Sequence, residues 1–186
     1  MNVIKTNLPG LFIIEPKVFE DDRGYFFESY QEEKLNQQGI KTRFLQDNQS
    51  KSSYGVIRGL HFQLEPYAQT KLIRVLEGNI FDIALDVRNG SPTFGRWFGL
   101  ELSAENKKQL YVPKGFAHGF SVLSKTAVVF YKCDELYNPC SEGGILFNDP
   151  DLCIDWKVDP ADAILSPKDK CLPILKNAKL NFSYTL

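Results

Sequence analysis

The stretch KLIRVLEGNIFDIALDVRNGSPTFG, residues 71 to 95, constrains the fold more than any other part of the chain. A Gly-Asn pair at 78 and 79 marks a turn. After it Phe81, Ile83, Leu85 and Val87 share one face, with Asp82, Ala84 and Asp86 on the other. A period of two belongs to a strand and not to a helix. Almost everything from 43 to 147 continues in this manner, as short apolar runs punctuated by Gly, Pro and Asn. AVVFYKC at 127 to 133, preceded by SVLSK, is a further strand. Many short punctuated strands predict a mostly-β chain, folded as an antiparallel sandwich or barrel. With 186 residues the chain has the length of one domain and can bury a real core.

Helix signals are few. SYQEEKLNQQG, residues 29 to 39, reads as one helix. Ser29 and Glu32 have capping-box spacing, and Gly39 is a suitable stop. The tail after 150 reads as loops with a short helix, packed against the strands.

Several function classes lose support at this level. The formal charge is -1, without a basic or acidic block, so nothing draws the chain to nucleic acid or to a membrane surface. No apolar run approaches the roughly 20 residues that span a bilayer. The N-terminus meets Pro9 and then acidic residues where a signal peptide would need a long apolar region. Cys133, Cys140, Cys153 and Cys171 form no CxxC pair and are expected to be small buried hydrophobes. A cytoplasmic protein with reduced thiols is the expected setting.

The chain has only two histidines, His61 in RGLHFQ and His118 in PKGFAHGF. Imidazole is the side chain that ordinarily titrates near neutral pH, so each of the two demands an explanation. A strand-lined barrel offers a cavity, because alternate side chains point inward, and His61 and Tyr131 both fall on strand signals. Arg58 stands three residues before His61 and should face the other way on a regular strand. A bulge at Gly59 would change the parity and turn both inward. Without one, the two serve different surfaces.

PKGFAHGF matches PxGxxH, the second of two short motifs of the cupin barrels. The first cupin motif supplies HxH and then a Glu, whereas here the stretch reads HFQLE, with Gln63 where the second histidine would stand. A catalytic metal wants about three protein ligands and an open position, which this histidine supply serves poorly. No metal is expected. His61 is then an organic acid/base group, against the plainer reading of a hydrogen-bonded core histidine. Arg23, Arg58 and Lys71, in segments rich in Gly and aromatics, suit a phosphorylated or carboxylated ligand if they face a cavity, and are surface charges if they do not.

The segments DDRGYFFESY, FLQDNQSKSS, VIRGLHFQ, TKLIRVLEGNIFDIALDVRNGSPTFG, YVPKGFAHGF, YKCDELYNP, GILFNDPDLCIDW and LSPKDKCLP, in this order, closely resemble the dTDP-4-dehydrorhamnose 3,5-epimerase family of rhamnose biosynthesis. The resemblance runs from about residue 5 to 173. It implies a cupin-like antiparallel jelly-roll barrel with a few short helices, present as a homodimer. Such an enzyme inverts C3 and C5 of a dTDP-4-keto-6-deoxy sugar without a cofactor or a metal. By matching position, His61 is the implied base, Asp169 its partner, Tyr131 the proton donor and Lys71 the cation near the C4 oxygen. Arg23, Glu28, Gln46, Asn48, Arg58, His118, Glu142 and Lys168 match positions that contact the nucleotide-sugar, with Asp47 in the same segment. Tyr137 matches the residue that stacks on thymine. The RGYFFE segment, with Arg23 and Phe26, reaches across the dimer into the partner's site in the family, so residues 1 to about 30 are expected to contribute to the dimer.

The chemistry implied needs these residue types. A C4 ketone acidifies the protons on C3 and C5, and positioned proton transfer contributes roughly 10²–10⁴-fold. Inversion returns the proton on the opposite face, which a single base does poorly, so a second acid is required. Relatives that epimerise one carbon, or isomerise a related 4-keto nucleotide sugar, share most of these motifs. A non-catalytic sugar-nucleotide binder of the same fold is the other class.

Overall fold

The computed structural model describes residues 1–184. Its strands form two facing antiparallel sheets and one separate hairpin. The first sheet holds β1 (Asn2–Lys5), β2 (Phe12–Glu15), β5 (Gln46–Ser53), β7 (Lys71–Glu77), β10 (Gln109–Val112) and β12 (Thr126–Cys133), in the order β1-β2-β10-β7-β12-β5. The second holds β6 (Ile57–Gln63), β8 (Asn79–Asp86), β9 (Trp97–Ser103), β11 (Phe116–Val122) and β13 (Glu142–Gly144), in the order β13-β6-β11-β8-β9. The hairpin is β3 (Val18–Asp21) with β4 (Gly24–Phe27). From β5 onward the chain passes back and forth between the two sheets, staying in one only for the β8–β9 pair, as in the jelly-roll barrel expected from the resemblance.

The alternation in β8 explains how the layers are held together. Ile80 and Ala84 join Ile73, Val75, Leu110 and Phe120 in the core between the sheets. Ile83, Leu85 and Val87 point the other way, into a second cluster with Leu152, Trp156 and Phe182 of the tail. Both faces of β8 are therefore buried, and the segment from 152 to 182 forms the outer cover of the second sheet. Each large apolar side chain so buried contributes on the order of 1.5–3 kcal/mol. The tail contains two 3₁₀ turns, Asp169–Cys171 and Leu175–Asn177, where the sequence suggested a short helix.

The outer face of the first sheet is covered differently. Leu35 and Ile40 pack there on Ile14, Leu72 and Tyr111. Leu35 belongs to α1 (Glu32–Gln37), which is shorter than its sequence signals indicate. The cap is Gln31, whose side chain accepts from the Lys34 N–H. Ser29 is not the cap, because its backbone carbonyl is held to β10 by Gln109 Nε2 at 2.7 Å and the chain there is still following the sheet. Gly39 does end the helix: with φ at +88° it lets its own N–H reach Asn36 O and the Ile40 N–H reach Leu35 O.

The cysteines correct another expectation. Only Cys133 is buried, and Cys140, Cys153 and Cys171 are exposed. Cys140 and Cys171 belong to short 3₁₀ turns and Cys153 to the outer tail, none of which has a second layer over it.

Candidate active site

A cavity of about 420 Å³ opens between the two sheets at one end of the barrel. Arg58, His61 and His118 line it from the second sheet, Lys71 and Tyr131 from the first, and Lys168 and Asp169 from the tail. Residues spread over 112 positions of sequence are brought together because the inward-facing rows of both sheets become polar at this end.

The parity of Arg58 and His61 is resolved by a bulge. In the β6–β11 ladder His61 pairs with His118 and Arg58 with Phe120, so three steps on β6 oppose two on β11. The extra residue lies at Gly59–Leu60, where Gly59 has φ of +119° and the peptide to Leu60 is cis. A Cβ on Gly59 would stand 2.6 Å from the Cα of Gly119, so only glycine fits. Ile57, Leu60 and Phe62 consequently turn to the outer cluster, while Arg58 and His61 face the cavity.

His61 Nε2 lies 2.6 Å from Asp169 Oδ1. Asp169 is almost fully buried at the start of a 3₁₀ turn, and the Ser166 hydroxyl accepts its backbone N–H. Burial pushes the Asp169 carboxyl upward, but the bonds from His61 and the Gly59 N–H outweigh it and hold the group below the ordinary carboxylate range. An ionised carboxylate at this position fixes the ring and stabilises the imidazolium that forms when the other nitrogen takes a proton.

His118 makes a second such pair. Its Nε2 lies 2.8 Å from Asp82 Oδ1, with both side chains buried. Asp82 Oδ2 has no hydrogen-bond partner. Asp82 lies behind His118, away from the cavity surface, and acts on the site by favouring the Lys71 ammonium.

Lys71 and Tyr131 occupy the facing sheet, with Lys71 Nζ 5.8 Å from the centroid of the Tyr131 ring. Burial pushes the Lys71 ammonium below its usual range, and the Asp82 and Glu142 carboxylates pull it partly back. Burial likewise pushes the Tyr131 phenol up, so it holds its proton at neutral pH. A lysine that gives up a proton more readily than usual and a phenol that keeps one suit donation at two different points. Arg58 points into the cavity with its Nε 3.0 Å from the Ser52 hydroxyl and, among the described residues, has no carboxylate partner.

The remaining expected residues divide into three groups. Glu142, Lys168 and Tyr137 form a chain on the rim: Lys168 pairs with Glu142, and the Tyr137 hydroxyl donates to Glu142 Oε2 at 3.0 Å. Burial raises the Glu142 carboxyl, while Lys168 and Tyr137 lower it by more, so the net shift is downward. Gln46 and Asn48 share the inner face of β5, 3.0 Å apart, whereas Asp47 faces outward and pairs with Lys132 at 2.9 Å. The structure therefore does not bring the Asp47 side chain to the cavity. Nor does it bring Arg23, Phe26 or Glu28. Arg23 is held by Asp21, Phe26 is 70% exposed on the hairpin, and Glu28 pairs with Lys34.

Three polar residues that serve the site were not singled out from sequence: Ser52, Asp82 and Gln63 in its structural role. Gln63, at the position of a second cupin histidine, spends its amide on Tyr67 O, Leu136 O and the Asn138 N–H. Among the described residues no three His, Cys, Asp or Glu side chains cluster as metal ligands would. An aspartate alternating with Ile80 and Ala84 in a buried strand was the signal available for Asp82. For Ser52 there was none.

Comparison with known proteins places these observations. A family model described as dTDP-4-dehydrorhamnose 3,5-epimerase matches residues 5–177. The dTDP-4-dehydrorhamnose 3,5-epimerase of Shigella flexneri is 54% identical over 170 residues, 91% of this chain and 93% of that protein. The crystal structure of the enzyme of that name from Elizabethkingia anophelis is 58% identical, with a TM-score of 0.92 over 95% of this chain and 97% of that one. A dTDP-6-deoxy-D-glucose-3,5-epimerase from Legionella pneumophila, solved in complex with dTDP-4-keto-L-rhamnose, is 48% identical with a TM-score of 0.95, covering 100% of this chain and 99% of that one.

Proposed function

We infer the function from membership, since this chain belongs to the dTDP-4-dehydrorhamnose 3,5-epimerase family. It is an epimerase of dTDP-rhamnose biosynthesis that inverts C3 and C5 of dTDP-4-keto-6-deoxy-D-glucose to give dTDP-4-keto-L-rhamnose. The single observation that carries the chemistry is the placement of a base and an acid on opposite walls of one cavity. His61, backed by Asp169, stands on the second sheet, and Tyr131 on the first.

The reaction follows from that arrangement. His61 takes the proton from the carbon beside the C4 ketone, and Asp169 stabilises the resulting imidazolium. Negative charge moves to the C4 oxygen, where Lys71 donates a hydrogen bond in a preorganised site. Tyr131 delivers its proton to the other face of the same carbon and is left as a phenolate near Lys71. The new stereocentre is then complete, and loss of a proton from His61 and gain of one by Tyr131 restore the pair. Repeating the cycle at the second carbon needs no oxidant, reductant or cofactor, because each cycle only exchanges a C–H proton with the pool.

Binding is divided among the other groups. Arg58, unpaired and held by Ser52, suits the diphosphate, and the exposed ring of Tyr137 suits the thymine face. Arg23, Phe26 and Glu28 find no role in their own cavity, and Phe19, Tyr25 and Phe26 are exposed on the same hairpin. What supports a homodimer is this pairing of an unused functional set with an apolar hairpin, which would enter the partner's site. The direct test is incubation with dTDP-4-keto-6-deoxyglucose in heavy water, followed by NMR of the sugar. Deuterium at both C3 and C5 with the L-rhamno product is expected, and label or inversion at one carbon alone would make this a single-carbon epimerase.

A further inference from the structure

We propose that Gln63 is the positioning residue for the nucleobase, gripping the backbone on both sides of Tyr137 so that its ring stands ready for a base. The proposal rests on the reading of Tyr137 as the stacking residue. Gln63 follows His61 by two positions on β6 and is 4% exposed. Its Nε2 donates to Leu136 O at 3.2 Å and to Tyr67 O at 2.6 Å, and its Oε1 accepts from the Asn138 N–H at 2.8 Å. A carboxamide has two donor hydrogens and one acceptor oxygen, and all are used here. Only one orientation of the amide satisfies the three partners.

The geometry of these bonds gives the residue its role. Leu136 O belongs to the peptide before Tyr137, and the Asn138 N–H to the peptide after it, so one side chain holds both peptide planes that flank Tyr137. Gln46 Oε1 accepts the Tyr137 N–H at 3.2 Å, and Gln69 Nε2 donates to Glu135 O at 2.8 Å. The segment is thus clamped from β5, β6 and the turn before β7. By contrast Tyr137 is 56% exposed, and its side chain makes one hydrogen bond, to Glu142. Rigidity supplied by the backbone leaves the ring little ordering to do when a base arrives, which favours affinity. Because Gln63 and His61 share a strand, the clamp also fixes where the base sits relative to the catalytic imidazole.

The test compares dTDP with inorganic diphosphate, which lacks a base, by calorimetry and competition on the full chain. Gln63→Met, which keeps the length of the side chain and removes its amide, should weaken dTDP about fivefold or more while diphosphate changes by no more than about twofold. Tyr137→Ala should act likewise, and the double variant should be no weaker than Tyr137→Ala alone, since both remove one function. Equal losses for dTDP and diphosphate would make Gln63 a general support of the fold and overturn the proposal. Wild-type dTDP affinity in Gln63→Met, with Tyr137→Ala impaired, would overturn it and leave the stacking role intact. Wild-type affinity in both would remove the stacking reading as well. Should Gln63→Met not fold, Gln63→Glu keeps the acceptor for Asn138 and loses the amide donors. The same base-selective loss is expected there, and its absence is equally decisive.

Discussion

His61 and Asp169 are 108 residues apart in the chain, yet Nε2 of one lies 2.6 Å from Oδ1 of the other. The contact joins a strand of the barrel to the tail that covers it. On the proposed mechanism it makes the tail part of the catalytic machinery, besides its place as cover of the outer core. Asp169→Asn keeps the shape and removes the charge that stabilises the imidazolium. Turnover should fall by about 10²-fold, within the range for lost acid–base assistance, while dTDP binds about as before. Steady-state kinetics within a few-fold of wild type would mean that His61 works without it.

Arg58→Ala and Tyr137→Ala should each weaken dTDP, the first by removing a charge-assisted contact and the second a stacking face. Losses of about fivefold or more are expected in calorimetry. Unchanged affinity in both would contradict the diphosphate and thymine sites together.

The proposed dimer, in which the hairpin enters the partner's site, is tested by a mixing experiment. Arg23→Ala and His61→Ala homodimers should each be inactive. After subunit exchange, mixed dimers would contain one site with both residues intact, and activity should return in part. No recovery, with exchange verified by mass, would place Arg23 and His61 in the service of one subunit.

Acid stability has a source outside the site. Asp86 is fully buried and accepts from Arg88, Ser91 and Thr93. Burial pushes its carboxyl up, and these donors lower it by more, to below the usual value. A carboxyl depressed in the folded state adds stability above the unfolded pKa of about 3.9, and that stability is lost as pH falls through the lower folded value. Melting temperature should therefore hold above about pH 5 and drop below about pH 4, and Asp86→Asn should be less stable at neutrality with a shallower acid limb. Parallel acid limbs for the two proteins would assign the effect to other carboxylates.

Much of the fold is legible in the sequence. The two-residue period of β8 gave the sheet and even its two faces, since a strand buried on both sides still alternates between different partners. The Ser29–Glu32 spacing misled, because a capping box is a local signal and the Ser29 carbonyl is claimed by Gln109, 80 residues away. Arg58 and His61 share one face only if Gly59 bulges, and what demands a glycine there is the approach of Gly119 from another strand. Asp47 stands between Gln46 and Asn48 in a segment that matches the family, yet alternation in β5 turns it outward. Asp82 carries a signal, an aspartate in a strand buried on both faces, but its pairing with His118 does not; Ser52 and the clamp by Gln63 carry none, as each acquires its role from a partner brought close only by folding.

The separation of base from acid is the centre of the mechanism, and one variant probes it. Tyr131→Phe keeps the ring and removes the donor hydroxyl, while His61 can still take a proton, exchange it with solvent and return it to the same face. Rates of deuterium uptake at C3 and C5 and of product formation should be measured by NMR in heavy water for wild type, Tyr131→Phe and His61→Ala. Wild type should show uptake and inversion together, and His61→Ala neither. Tyr131→Phe should retain uptake while inversion falls by about 10²-fold or more. Equal loss of uptake and inversion in Tyr131→Phe would contradict a separate acid on the second face.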